Sequence, residues 1–490
     1  TRRPAADNRA IQEALNLIID SKNPIILAGN GTIRKRASNR LRVLVENLGI
    51  GVINTFMAKG SVSYKDKHSL FTIGLGSGDY NNLAIDESDL VIAIGYDLVE
   101  YSPSAWNRIE GGEKKIIHID FSPAEIDKDY LPNVEVIGDL AGALYQLNKA
   151  LTERMSKKDL PLFKIESRQK LRSEMAKDLD KNDKDDSFPM KPQRILADVR
   201  KVMGGEDILL SDVGAHKMWV ARHYDCTDPN TCLISNGFCT MGFALPGSIG
   251  AKMAFPDKKI ISINGDAGFF MNVQDLETAV RYNINVVAVV WLDGEYGLIK
   301  WKQQVGFKGE HSDLKFNNPN FEMLANSLNM WGKQINNSNE FLPALEEAFR
   351  QKGPAIIGVP VDYDENMNFW TNFKSSNEWK SLHQHKYENE YWKRKFDLVS
   401  ANKIDSWAYV WLASIWFNKG VSITPNQNLV QNIGFNHEST HTYGYDVDKY
   451  SRVINDEDID GLILDMMDAF VDDFLENNCP NLSELDEKKR

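Results

Sequence analysis

The chain has 490 residues, 57 Lys+Arg against 69 Asp+Glu, and a formal net charge of −12. That length exceeds one ordinary domain, and 42% hydrophobic with 26% charged residues is the composition of folded, not disordered, protein. The acidity argues against a protein that coats nucleic acid or binds anionic membrane surfaces, and leaves a small-molecule enzyme open. No stretch approaches the roughly 18 apolar residues that span a bilayer. The opening TRRPAADNRAIQEA has no apolar signal-peptide core and no initiator Met. Cys226, Cys232, Cys239 and Cys479 make no CxxC pair or metal-like cluster, so a reducing cytoplasm is expected.

In chain order, residues 10–19 have apolar side chains at helical spacing, and Asn23-Pro24 breaks the pattern before an apolar run at 25–28. Further short runs stand at 51–56, 90–94, 115–119 and 134–137. Such runs between helical segments predict a parallel sheet covered on both faces, a Rossmann-like domain over 1–150. Residues 151–190 are charged, with Pro189 and Pro192 closing the stretch, and predict an exposed connector holding one helix. From 191 to 365 the rhythm resumes. Strands are predicted at 208–210, 232–235, 259–263, 286–291 and 355–359, with helices at 242–254, 273–282, 321–330 and 341–351. The fold class is therefore α/β, with two Rossmann-like parallel-sheet domains. Beyond 366 the composition changes, with six of the 11 Trp but only four of the 33 Gly. This stretch, 366–490, is read as a small, mainly helical, unrelated module with an acidic tail. Its last 35 residues hold twelve acidic and three basic residues and so carry −9 of the −12.

The most informative segment is Lys259-Ile-Ile-Ser-Ile-Asn-Gly265-Asp266-Ala267-Gly268-Phe269, a strand ending in a turn that puts a carboxylate at the carboxyl end of a parallel sheet. Open α/β sheets bind ligands there, and small residues let the backbone approach phosphate. A second strand ends in Asp293-Gly294-Glu295-Tyr296-Gly297. Two strand-tip carboxylates and a backbone carbonyl make a half-shell suited to Mg²⁺; the same aspartates would also serve as helix N-caps.

Upstream stand Asp212-Val213-Gly214-Ala215-His216-Lys217-Met218-Trp219 and Ser235-Asn-Gly-Phe-Cys-Thr240-Met241-Gly242-Phe-Ala-Leu-Pro246-Gly247. Together these segments resemble the diphosphate-binding half of thiamine-diphosphate enzymes. Within that superfamily the chain resembles acetolactate synthase, in forms like the catabolic and cyanobacterial-type large subunits, over about residues 1–365. Asn54-Thr55-Phe56-Met57-Ala58-Lys59-Gly60 and Ile94-Gly95-Tyr96-Asp97-Leu98-Val99-Glu100-Tyr101 share that likeness.

The resemblance implies thiamine diphosphate and Mg²⁺ as cofactors, with Asp266 and Asp293 ligating the metal through side chains and Glu295 through its backbone carbonyl. Asp293 stands where the superfamily usually has Asn, and Ala267 where it usually has Gly, which is tolerable at negative φ. Gly214, Ala215 and His216, with Gly265, Ala267 and Gly268, match the loops facing the diphosphate, and Tyr296 lies beside them. His216 reads equally as a surface histidine. Met241 matches the apolar wedge that bends the cofactor, and the Cys239 carbonyl the acceptor for its amine.

The implied reaction condenses two pyruvates to 2-acetolactate with loss of carbon dioxide. It requires a glutamate on a pyrimidine-binding domain of the neighbouring subunit, expected before residue 1, so the chain alone is expected to be inactive. Glu100 is read as a surface residue and not as a substitute. Gly29-Asn30-Gly31 lacks the rest of a dinucleotide fingerprint, and the segment 71–78 departs from the flavin-binding relatives, so no FAD is expected. A dimer or tetramer is implied. A non-catalytic chain that binds thiamine diphosphate and Mg²⁺ or acts in assembly, and another 2-keto-acid decarboxylase, are the alternatives. Residues 390–445 faintly resemble the tail of nucleotide-diphospho-sugar transferase-like proteins, without the donor site of that core.

Overall fold

In a computed structural model, residues 3–74, 80–107, 114–155, 157–179, 183–306 and 312–363 are described. The Trp-rich stretch 366–490, with its acidic tail and Cys479, lies outside the described residues.

The apolar runs build two six-stranded sheets in which every pairing is parallel. The first contains β1 (Pro24–Ala28), β2 (Gly51–Asn54), β3 (Ser69–Thr72), β4 (Leu90–Ile94), β5 (Lys115–Asp120) and β6 (Val134–Ile137), in the order β3-β2-β1-β4-β5-β6. Ile26, Ile92 and Ile117 meet the helices Asn8–Asp20, Lys35–Leu48 and Leu140–Arg154 through Leu15, Leu44 and Leu144. Ile25, Leu27 and Val91 face the other way, toward Tyr96, Trp106 and Tyr130. Burial on both faces is why these strands read as unbroken apolar runs instead of alternating ones.

The second sheet contains β7 (Ile208–Ser211), β8 (Cys232–Ile234), β9 (Ile260–Gly265), β10 (Val287–Leu292), β11 (Trp331–Gln334) and β12 (Ala355–Pro360), in the order β11-β12-β10-β9-β7-β8. The winding reverses between β1 and β4 in the first sheet and between β7 and β9 in the second. A crevice opens at such a reversal, beyond the carboxyl ends of the strands.

Two strands escape the sequence pattern. β3 is four residues long and its register with β2 shifts between Val52 and Asn54. β11, Trp-Gly-Lys-Gln, is a half-buried edge strand with too little apolar content to register. The helix predicted at 321–330 ends at Ser327, and the chain turns through Asn329 at φ 56° to begin β11. The connector also departs from expectation. Its helix, Glu166–Leu179, buries Met175 beside Tyr64 and Phe71 and buries Arg168 against the first domain. Arg168 donates to the Ala84 carbonyl, Ser88 Oγ and Asn23 Oδ1. A pattern that counts Arg as surface cannot see this docking.

The domains meet along the loop after β2. Arg42 donates to the carbonyls of Gly60, Ser61 and Thr227. Gly60 sits at φ +81°, and a Cβ there would lie 2.1 Å from the Asp228 carbonyl oxygen. Gly60→Ala should therefore destabilise the protein by about 2–4 kcal/mol through backbone strain and overlap, measured by urea unfolding; an unchanged midpoint would refute this account of the junction.

Candidate functional site

Three strands deliver an aspartate to the carboxyl end of the second sheet: Asp212 after β7, Asp266 after β9 and Asp293 after β10. Parallel pairing sets Gly265 opposite Trp291, so Asp266 and Asp293 leave neighbouring strands within one residue of the same level. Asp266 is buried. Its Oδ2 accepts from Gly294 N at 2.9 Å and Asn318 Nδ2 at 2.7 Å, and its Oδ1 accepts from Ala267 N at 2.9 Å. Burial raises the pKa of Asp266. Asp293 rises to about 7, through burial first and then through the charges of Asp266 and Glu295. The Glu295 side chain pairs with Lys300, and its backbone carbonyl accepts from Gly297 N at 3.0 Å. Gly297 is close-fitting, since a Cβ there would lie 2.9 Å from Asp293 Oδ2.

A buried carboxylate beside a half-buried one, with burial raising both pKa values and the charge of Asp266 raising that of Asp293 further, is a site short of positive charge. Asn318 adds an orphan: its Oδ1 is buried without a hydrogen-bond partner. Hard oxygens, converging negative charge and an unsatisfied acceptor together fit a divalent cation such as Mg²⁺. No group of three His, Cys, Asp or Glu side chains suited to a metal occurs among the described residues, so here a cation would rely on carbonyl, amide or ligand oxygens besides the two carboxylates.

His216 joins the two loops that flank the reversal between β7 and β9. A Cβ on Gly214 would lie 2.8 Å from its ring, and one on Gly265 would lie 3.1 Å away. The surface reading of His216 fails, because the residue is buried with its ring edge-on to Trp291. Burial holds its pKa down to about 3, so the ring is neutral at physiological pH. Nε2 has no hydrogen-bond partner. Ala267 lies within the helical turn Asp266–Phe270 and is absent from the positive-φ residues, so Ala serves where Gly was not required.

Asp212 does not join the other two aspartates. It is buried, and its carboxylate accepts from Gly242 N at 3.1 Å and Phe243 N at 3.0 Å, clamping the loop that carries Cys239 and Met241. Gly268 makes room for this clamp, since a Cβ there would lie 2.3 Å from Asp212 Oδ2. Cys239 sits at φ 50° and Met241 is half-buried. Lys217, 5% exposed, donates to Asn236 Oδ1 at 3.0 Å and Cys239 Sγ at 3.3 Å, while Asn236 Nδ2 donates to the Glu100 carbonyl at 2.8 Å. Tyr296 is partly exposed, with its ring against Phe316.

Sequence reasoning passed over Asp212, Lys217, Asn236 and Asn318 as site residues. Asp212 carried the same strand-tip signal as Asp266 and Asp293. Asn318 carried none, lying 52 positions beyond its partner. The surface reading of Glu100 is also corrected. Glu100 is buried at the winding reversal of the first sheet, where its carboxylate accepts from Asn30 N, Asp97 N and the Thr55 hydroxyl.

The raised pKa values fix the sign of a pH effect. A buried carboxylate that holds its proton more tightly folded than unfolded contributes stability at low pH and loses it as pH rises through the folded value. Without metal, thermal stability should therefore fall as pH rises from about 4 to about 7. Asp293→Asn should flatten that decline, and melting curves across this window without added metal provide the check.

Residues 212–359 match the thiamine pyrophosphate enzyme C-terminal TPP binding domain, and residues 11–147 match the central domain of thiamine pyrophosphate enzymes. The chain is 32% identical over 367 residues to an acetolactate synthase of Bacillus subtilis (strain 168), covering 74% of this chain and 63% of the relative. It is 34% identical over 374 residues to a probable acetolactate synthase large subunit of Methanococcus aeolicus, covering 72% and 60%. It is 29% identical over 364 residues to a catabolic acetolactate synthase of Raoultella terrigena, covering 74% and 64%. The chain thus spans less than two thirds of the length of these relatives. With its central and cofactor-binding domains both matched and its two parallel sheets in place, the chain belongs to the thiamine pyrophosphate enzymes and is acetolactate synthase-like.

Proposed function

We propose that the chain holds thiamine diphosphate through Mg²⁺ at the carboxyl ends of β7, β9 and β10, as the cofactor-binding part of a homo-oligomeric enzyme that condenses two pyruvates to 2-acetolactate with release of carbon dioxide, and that this part is inactive by itself. The observation that carries this reading is the buried Asp266 carboxylate set beside the half-buried Asp293, whose pKa it raises, with the orphaned Asn318 Oδ1 next to it. The bound cofactor would supply the stabilisation of negative charge on the carbon that loses carbon dioxide.

The chain's own residues then divide the work. Asp266, Asp293 and the Glu295 carbonyl hold the metal, and the backbone at Gly214, Ala215, His216, Gly265, Ala267 and Gly268 faces the diphosphate. His216 is neutral, so it contributes a hydrogen-bonding nitrogen and not a charge. Met241 would pack against the cofactor as an apolar wedge, and the Cys239 carbonyl would accept a hydrogen bond from its amine. Asp212 and Lys217 fix the loop on which both depend. Proton transfer at the pyrimidine ring is assigned to a carboxyl group outside the described residues. Glu100 does not serve, because its oxygens are engaged by Asn30, Asp97 and Thr55.

Thiamine diphosphate with Mg²⁺ at about 100 times Kd should add about 2.7 kcal/mol of stability and raise the melting temperature by roughly 5 °C. Asp266→Ala should abolish the shift; an equal shift in the variant would refute the assigned ligands. Acetolactate formation from pyruvate by this chain alone should stay near background, and robust turnover would overturn the external assignment of the proton-transferring group.

A further inference from the structure

The helix His216–His223 begins at the candidate site and ends against the first domain. Its last-turn carbonyls have no partners inside the helix. Two partners come from the loop after β2. Lys59 Nζ donates to the Ala221 carbonyl at 2.7 Å, and the Tyr64 hydroxyl donates to the Arg222 carbonyl.

Lys59 is 0% exposed. Its remaining contacts are the hydroxyls of Tyr64 and Thr72, each at 3.4 Å, and the Tyr64 ring face at 4.4 Å from centroid to Nζ. All of these partners are neutral. An ammonium buried without a carboxylate is costly, and an apolar side chain of similar length would fill the space at less cost. What the surroundings offer a positive charge is the negative end of a helix dipole. The positive end of the same helix lies at His216, beside Gly214 and Gly265.

We propose that Lys59 is a positioning residue for anion binding in the second domain. By neutralising the carbonyl end of His216–His223 it holds the amide end, and the potential there, toward the diphosphate. The first domain thereby sets the second domain's affinity for its cofactor. This inference rests on the reading that the site takes thiamine diphosphate, and it adds a determinant that lies outside the site.

The test titrates wild type, Lys59→Met and Tyr64→Phe with thiamine diphosphate plus Mg²⁺, and separately with inorganic pyrophosphate plus Mg²⁺. Tryptophan fluorescence reports binding, and each protein is also melted without ligand. Lys59→Met is expected to bind both ligands about tenfold more weakly, while its ligand-free melting temperature stays at or above that of wild type. A role in packing alone would lower melting temperature and affinity together, and would not single out the ring-free pyrophosphate. Tyr64→Phe keeps the charge and removes one capping hydroxyl, so its loss should be smaller, about threefold; it also keeps the inference testable should Lys59→Met fail to fold. Unchanged affinity in Lys59→Met, or a parallel fall in stability and affinity, overturns the inference. Absence of binding by wild type overturns instead the reading on which it rests.

Discussion

The pairing of β9 with β10 is the constraint on which the site depends. With Gly265 opposite Trp291, Asp266 and Asp293 leave neighbouring strands one residue out of step, and two carboxylates emerge close together. A slip of one residue would turn the side chains of a strand to its opposite face. Burial then makes the juxtaposition unfavourable unless a cation joins it, so the geometry that costs stability in the empty protein becomes affinity when the site is filled. The surrounding glycines follow from this arrangement: Gly297 yields to Asp293, and Gly268 yields to the Asp212 carboxylate one strand away.

Much of this was legible because strand ends announce themselves. Apolar runs buried on both faces cannot be mistaken for amphipathic surfaces, and the aspartates that close them stand where a parallel sheet gathers its ligands. What remained hidden shares a different physical character. β11 is an edge strand with polar residues, and Arg168 and Lys59 are long basic side chains that sequence patterns place in solvent. Asn318 and Glu100 act through contacts with chain far away in sequence, 52 and 70 positions apart in the two cases. Periodicity carries no information about such pairings. The two histidine readings differ for the same reason: spacing placed His216 in the loop, but only packing showed that it lies under Trp291 and is neutral.

The two domains share more than a boundary. The loop after β2 donates to the end of a helix in the second domain, and Asn236 at the other side of the junction reaches back to the Glu100 carbonyl. The same Asn236 receives Lys217, which also touches Cys239. A displacement of the first domain would therefore reach both the helix and the Cys239–Met241 loop through hydrogen bonds, without requiring any contact between that domain and the ligand.

Glu100 has a consequence of another kind for the first sheet. Its carboxyl group is a ligand tethered to the chain, bound by the amides of Asn30 and Asp97 at the place where an open sheet would receive a phosphate. A tethered ligand competes at an effective concentration in the millimolar range or above, whatever the solution contains. A free phosphate would have to outbid a resident that never diffuses away, and its arrival would leave the displaced carboxylate buried beside it. The crevice thus behaves as an occupied receptor whose ligand is part of the protein.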